Sequence, residues 1–335
     1  MKQLLLFLAF SFLLAGCSDK DGSSDSNDST STSPSVDTSI NTTSTKADDY
    51  ESMDYYEYSE FINKPGTITL VTIEDEICSD ILLQNPLQTL TVGQHIFVEK
   101  YCGTTTKNSW TEPVYEITYY DSSKKKIRGY ISQSNIACRL DTLQSKKIVA
   151  LTIDYNTLKE RFIAKVSLLD QSRKTLATTS VELDIPKEDN APHSFTYYFN
   201  FEESDKNTGL DGITECFYIT AHYDACSYPQ ISNIFLWNEK KLIVAPESYS
   251  VADADVFFAA SYLIFPSDSL GRQSYVLNII EVQEDIDSPP HTIDKTYSKK
   301  DSTVIAFKWN KATATFSKGD TIVKTSRTFV LPNLE

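Results

Sequence analysis

The side chains best placed to do chemistry lie in one acidic loop. From Asp205 to Glu215 the chain reads Asp-Lys-Asn-Thr-Gly-Leu-Asp-Gly-Ile-Thr-Glu, with side-chain oxygens recurring at Asp205, Asn207, Asp211 and Glu215. Oxygens spaced along a glycine-bearing loop can wrap Ca²⁺, which takes about six to eight oxygen ligands. The competing account is an ordinary solvated turn, and that is what we expect. A second candidate follows in His222-Tyr223-Asp224-Ala225-Cys226. On a strand, His222, Asp224 and Cys226 share one face, opposite Phe217, Ile219, Ala221 and Tyr223. They can bind a metal, or simply form the polar outer face of a half-buried strand.

Other chemistries find little support. No Gly-x-Ser-x-Gly elbow occurs, and no cysteine sits in a nucleophile context. The run Glu281, Glu284, Asp285 and Asp287 is most simply a solvated edge, because acid pairs for glycoside hydrolysis are recognised by spatial separation. Four aromatics, Trp110, Tyr119, Tyr120 and Tyr130, can stack sugars or peptides if exposed, or fill a small core if not. The histidines, His95, His193, His222 and His291, are too scattered for a ligand motif.

Strands must position these groups. Alternation of apolar and polar residues marks strands at Thr67–Ile73, Thr89–Tyr101, Val114–Tyr120 and Arg128–Ile131. After Lys146 the pattern continues through Lys147–Tyr155, Phe162–Leu169, Thr175–Ile185 and Ser194–Phe201. Phe195, Tyr197, Phe199 and Phe201 form one aromatic face at period two. Cys216–Tyr223, Ile231–Trp237, Lys241–Ala245, Ser274–Val282, Ser302–Trp309 and Thr313–Phe316 complete the series. Only Asp253–Phe265 admits a helix, and its β-branched and aromatic content leaves a strand open as well. Short strands in this number indicate a sandwich, barrel or propeller-like architecture.

The 335 residues carry a formal net charge of −15. That balance argues against a nucleic-acid partner, since phosphate binding is driven by Lys and Arg. From Ser18 to Tyr50 nearly half of the positions are Ser or Thr, interspersed with Asp. Such composition cannot bury enough apolar surface to offset its ordering entropy, so it reads as a disordered tether. Its r.m.s. reach is roughly 30 Å.

At the start, Lys2 precedes an apolar run from Leu4 to Leu14, shorter than the about 20 residues that a membrane span needs. It fits the apolar region of a secretory signal peptide. Leu13-Leu14-Ala15-Gly16-Cys17 resembles the lipobox of bacterial lipoproteins. The resemblance implies that Cys17 becomes an acylated N-terminus, so that the protein meets the membrane through lipid alone. Ser18 after the cysteine resembles outer-membrane sorting, and Asp19 and Asp21 resemble a surface-export signal.

A second resemblance covers about 80 residues. Leu90-Thr91-Val92-Gly93-Gln94-His95-Ile96-Phe97-Val98, then Trp110 and Val114, then Gly129-Tyr130-Ile131-Ser132-Gln133-Ser134-Asn135-Ile136 follow the order of a bacterial Src-homology-3-like domain. The resemblance implies a small barrel that recognises cell-wall peptide or a protein. The segment Glu76-Ile77-Cys78-Ser79-Asp80 departs from the family's usual loop. Of the six cysteines, five remain after Cys17 is acylated. In the barrel that the resemblance implies, the first and last strands pair antiparallel. Cys78 and Cys138 would then face each other within the about 4.4–6.8 Å that a disulfide spans. Cys102 competes for either partner. The loop at Asp205–Glu215 is weakly similar to FG-GAP or VCBS-type loops, though Gly209 stands where those place a carboxylate. Leu210 holds the position where an EF-hand requires glycine.

The expected protein is mainly β, a small Src-homology-3-like barrel followed by a larger antiparallel β-rich domain. Its parts are a signal peptide and lipobox (1–17), a tether (18–57), the barrel (58–141) and a β-rich domain (142–335). It acts as a non-catalytic binding or structural module of the cell envelope, with peptidoglycan, glycan or an envelope protein as partner. The alternatives are a hydrolase of envelope polymers with its site in the C-terminal region, or an inhibitor of an external lytic enzyme. No cofactor is expected beyond the Ca²⁺ considered above.

Overall fold

The chain is mainly β, in antiparallel sheets, as the alternation predicts. The computed structural model describes residues 63–107, 110–156, 158–159, 161–183, 198–204, 207–222, 228–253, 257–286 and 297–330. Among these, no helix is long and apolar enough to cross a membrane.

The first sheet has six strands: β1 (Ile68–Leu70), β2 (Asp75–Cys78), β3 (Pro86–Leu90), β4 (His95–Lys107), β5 (Trp110–Tyr120) and β6 (Lys126–Ser132). Their order is β1-β4-β5-β6-β2-β3. Alternate residues of β4 and β5 (Ile96, Val98, Tyr115, Ile117 and Tyr119) point into one core with Ile77 and Leu90. Where β6 crosses β2, Gly129 is required by space. A Cβ there would lie 2.6 Å from Ile77 Cγ1 and 2.7 Å from the Cys78 carbonyl oxygen.

The second sheet comprises β7 (Arg139–Thr142), β8 (Ile148–Asn156), β9 (Arg161–Leu169) and β10 (Thr175–Leu183), in the order β10-β9-β8-β7. Strand β8 is buried on both faces. Val149, Leu151 and Ile153 enter one large core, while Ala150 packs with Leu70, Ala137 and Leu169 against the first sheet. Thr152 donates its hydroxyl to Thr72 across that junction at 2.6 Å. The turn at Gly93 closes the same junction: its φ is +85°, and a Cβ would meet the Arg173 carbonyl oxygen at 2.3 Å.

The third sheet has nine strands. They are β11 (Tyr198–Glu203), β12 (Glu215–His222), β13 (Gln230–Trp237), β14 (Leu242–Val244), β15 (Ser248–Asp253), β16 (Phe257–Ile264), β17 (Tyr275–Ile286), β18 (Tyr297–Asn310) and β19 (Thr315–Val330). One face of β12 and β13 (Phe217, Ile219, Phe235, Trp237) joins the large core beneath the second sheet. The opposite face (Cys216, Tyr218, Ile234, Leu236) joins another core with Phe265, Val276 and Trp309. Phe217 stacks on Phe235 at 5.3 Å between ring centroids. Phe199 and Phe201, on the aromatic face read from sequence, pack in the large core.

One open alternative is decided and one expectation needs correction. The stretch that admitted a helix is a strand from Phe257 to Ile264, hydrogen-bonded to β15 on one side and β17 on the other. Sheet neighbours decide the conformation of a segment whose local preference is divided. The Cys78–Cys138 disulfide is not formed; Cys78, Cys102, Cys138 and Cys216 are all free thiols. The first and last stretches of the small module do meet antiparallel, at Val71 and Ile136. The chain then bends between Leu70 and Asp75, so that Cys78 starts over in β2, opposite Tyr130. Cys138 instead leads into β7, which belongs to the second sheet.

Candidate functional site

The candidate site is a groove of about 410 Å³ where the first two sheets meet, lined by Asn63, Lys64, Ile68, Cys138, Arg139, Leu140, Asp141 and Phe199, with Thr67 and Thr69 beside them. Two strand edges form its walls, that of β1 being paired at Leu70, whose carbonyl accepts the Ala137 N–H at 2.9 Å. Strand β1 is the last strand of its sheet, and β7 is the last of the next. In an antiparallel ladder, successive residues turn their backbone groups alternately towards and away from the partner strand. The Thr67 carbonyl accepts the Val98 N–H, while Val71 donates to the Gln94 carbonyl and accepts the Gly93 N–H. By alternation, the backbone N–H and C=O of Ile68 point away from β4, and the Ile68 side chain is 61% exposed. Leu143 donates to the Lys147 carbonyl. The same alternation turns the backbone of Leu140 outward from β8.

Charge and burial complete the groove. Arg139 donates Nε to Asp141 Oδ2 at 2.8 Å and Nη1 to the Phe199 carbonyl. Its guanidinium is thereby fixed along the wall. Lys64 is exposed and makes no salt bridge among the described residues. Cys138 donates its thiol to the Leu151 carbonyl at 3.2 Å, and burial pushes its pKa up to about 12. It is therefore a packed thiol, not a nucleophile at neutral pH. An extended peptide entering here meets free main-chain donors and acceptors, apolar surface at Ile68 and Leu140, and one available ammonium.

The residues singled out from sequence do not converge on this groove. Tyr119 is 2% exposed and donates its hydroxyl to Gln88 Oε1 at 2.7 Å, so it is core. Tyr120 is 68% exposed, and Tyr130 lies between these extremes. The backbone of Trp110 opens β5, and its side chain falls outside the described residues. The four aromatics therefore do not form one stacking platform. Cys17 lies outside the described residues, as does Tyr223–Ser227 beyond His222.

The acidic loop is a structural plug. Leu210 is 3% exposed and sits in the core with Trp309, whose Nε1 donates to the Asp211 carbonyl at 3.0 Å. Asp211 pairs with Lys311 at 2.8 Å, and Glu215 pairs with Lys147 from the second sheet. Asn207 Oδ1 accepts the Gly209 N–H at 2.9 Å. Asp205 is outside the described residues. Each described carboxylate is thus held by a lysine, and no three of His, Cys, Asp and Glu among the described residues could hold a metal ion. Of the four Ca²⁺ candidates, Asp211 and Glu215 are paired with lysines, Asn207 caps the loop backbone, and Asp205 lies outside the described residues.

Sequence reasoning missed Lys64, Ile68, Leu140 and Arg139. The one available signal was an apolar residue between charges in Arg139-Leu140-Asp141, where a core strand would place a second apolar residue nearby. The chain matches no known family, and neither a curated protein nor a solved structure is similar to it.

Proposed function

We propose that this protein is a non-catalytic binding protein of the bacterial cell envelope, held to the membrane by acyl chains on Cys17. The observation that supports the reading best is the groove between β1 and β7, where the outward backbone groups of Ile68 and Leu140 and the Lys64 ammonium face one ligand-sized space. Strand edges bind extended peptides through main-chain hydrogen bonds, and pockets beside them select side chains. The ligand is an extended peptide bearing a carboxylate, which Lys64 receives. The likeness of residues 58–141 to Src-homology-3-like modules favours cell-wall peptide as its source. The lipobox and the Ser18 that follows favour an anchor in the outer membrane.

The test uses the detergent-solubilised full chain and purified peptidoglycan sacculi. Co-sedimentation is expected for the native chain and reduced several-fold for Lys64→Glu, whose exposed side chain leaves the fold intact. A native chain that stays in the supernatant, or binding indifferent to Lys64→Glu, contradicts the proposal. The anchor is tested separately. Incorporation of a palmitate analogue should vanish in Cys17→Ala, and undiminished labelling would overturn acylation at that site.

A further inference from the structure

The chain is acidic as a whole, yet its last two described strands are basic. Residues 297–330 contain seven lysines and arginines against Asp301 and Asp320, a local net charge of +5 in a chain of −15. Three of these cations are paired within the sheet: Lys299 with Asp301 at 2.8 Å, Lys300 with Glu281 at 3.0 Å, and Lys311 with Asp211 at 2.8 Å. Lys308, Lys318, Lys324 and Arg327 are exposed and form no salt bridge among the described residues.

Three of those four lie on β19, the terminal strand of the nine-stranded sheet. Its outer edge pairs with no other described strand, so among the described residues a row of backbone N–H and C=O groups stands open there. The register breaks between Val304 and Phe307, dividing β19 into two parts. From Val323 to Val330 it pairs residue for residue with Tyr297–Val304. Lys324 stands opposite Thr303 and Arg327 opposite Lys300. Being three residues apart on one strand, Lys324 and Arg327 project to opposite faces.

The geometry points to this edge as a docking strand for an acidic, extended polypeptide segment, with acidic residues three apart. A flat anionic surface reaches only one face of a sheet and so meets one of the two cations. A strand added at the edge turns alternate side chains to both faces, meets both cations, and satisfies the open main-chain groups. Edge lysines also guard a strand against pairing with a like-charged copy of itself. The same charges leave it open to a strand of opposite sign, and Ile322 and Val323, 46% and 45% exposed, supply apolar contact beside them.

The probe is a fluorescein-labelled octapeptide, Thr-Val-Glu-Thr-Val-Glu-Thr-Val, titrated with the solubilised full chain and read by anisotropy. Binding is expected. An isomer with its glutamates two apart, on one face, should bind about two- to fivefold more weakly through loss of one exposed ion pair. A version N-methylated at alternate residues on its pairing edge should not bind. The double variant Lys324→Glu, Arg327→Glu, with an unchanged melting temperature, should weaken binding at least about tenfold. Lys64→Glu should leave it unchanged, which separates this edge from the groove. The inference is overturned if the native chain does not bind, or if N-methylation or the double variant has no effect. It is equally overturned if Lys64→Glu abolishes binding, or if phosphatidylglycerol vesicles compete more strongly than the unlabelled peptide.

Discussion

Strands β12 and β13 and strands β18 and β19 belong to one sheet and live by different rules. The first pair is covered on both faces, with Phe217, Phe235 and Leu236 fully buried. Its sequence accordingly loses strict alternation, and Ile234-Phe235-Leu236-Trp237 runs apolar without a break. The second pair ends at an open edge, where Lys, Arg, Thr and Ser predominate on β19 beside the half-exposed Ile322 and Val323. Burial on two sides makes a strand a scaffold, and exposure of an edge makes it available to a partner. The groove follows the same rule on a smaller scale, since β1 and β7 are both edges.

The contrast is broken most forcefully in the doubly covered strands. Phe217→Ala removes a ring stacked on Phe235 and packed on Phe201, and should cost about 3–5 kcal/mol in denaturant unfolding. Val323→Ala, on the exposed strand, should stay within about 0.5 kcal/mol. Comparable losses at both positions would erase the distinction. A smaller effect is expected at the ion pair that ties the second sheet to the third. Lys147 and Glu215 have side chains only 20% and 12% exposed, and Glu215 Oε2 has no hydrogen-bond partner among the described residues. Lys147→Ala strands that carboxylate and should cost about 2 kcal/mol, recovered in part by adding Glu215→Gln. Lys318→Ala, on the open edge, should leave stability unchanged.

Gly129→Ala should cost about 1–3 kcal/mol, because the added methyl meets the Cys78 carbonyl as well as a movable side chain. The smallest effects belong to surface turns. Asp121 accepts the Ser123 hydroxyl and the Lys125 N–H, and Asp170 accepts the Ser172 hydroxyl and the Lys174 N–H. The hydroxyl bonds first, and the backbone bonds after them, hold both carboxyls below the usual range. A depressed folded-state value stabilises above the unfolded value of about 3.9, and that contribution is lost as pH falls through the folded value. Asp121→Ala and Asp170→Ala should therefore lower the Tm slightly at neutral pH, with the difference closing on melts below about pH 4. A difference that persists in acid would assign the effect to packing.

Much of the strand inventory was legible because alternation survives wherever one face is wet, as in β10, where Thr175–Glu182 alternates half-buried and exposed positions. The short strands β2, β7 and β15 were not. Each is only four to six residues long, too short for alternation to show above chance, and lies against its neighbour in sequence, β3, β8 or β16. A recurring turn was legible and passed unread. Asp121-Ser-Ser-Lys-Lys, Leu143-Gln-Ser-Lys-Lys and Asp170-Gln-Ser-Arg-Lys close three hairpins in the same way. Each puts its fourth residue (Lys124, Lys146, Arg173) at positive φ, the conformation that ends a three-residue hairpin loop. In the acidic loop, spacing shows which oxygens are close in sequence, but not that Leu210 anchors the loop in a core. The groove was hidden for a related reason. An open edge is defined by the strand that is missing beside it, and no residue type records that.

Hydrogen exchange at single-residue resolution, on the full chain with and without soluble peptide released from sacculi, tests the central reading most directly. If peptide adds to the edges of the groove, the amides of Ile68 and Leu140 exchange freely alone and slow markedly when peptide is present. Those of Phe217 and Phe235 stay protected in both. Unchanged exchange at Ile68 and Leu140 under saturating peptide would contradict the groove as the binding site.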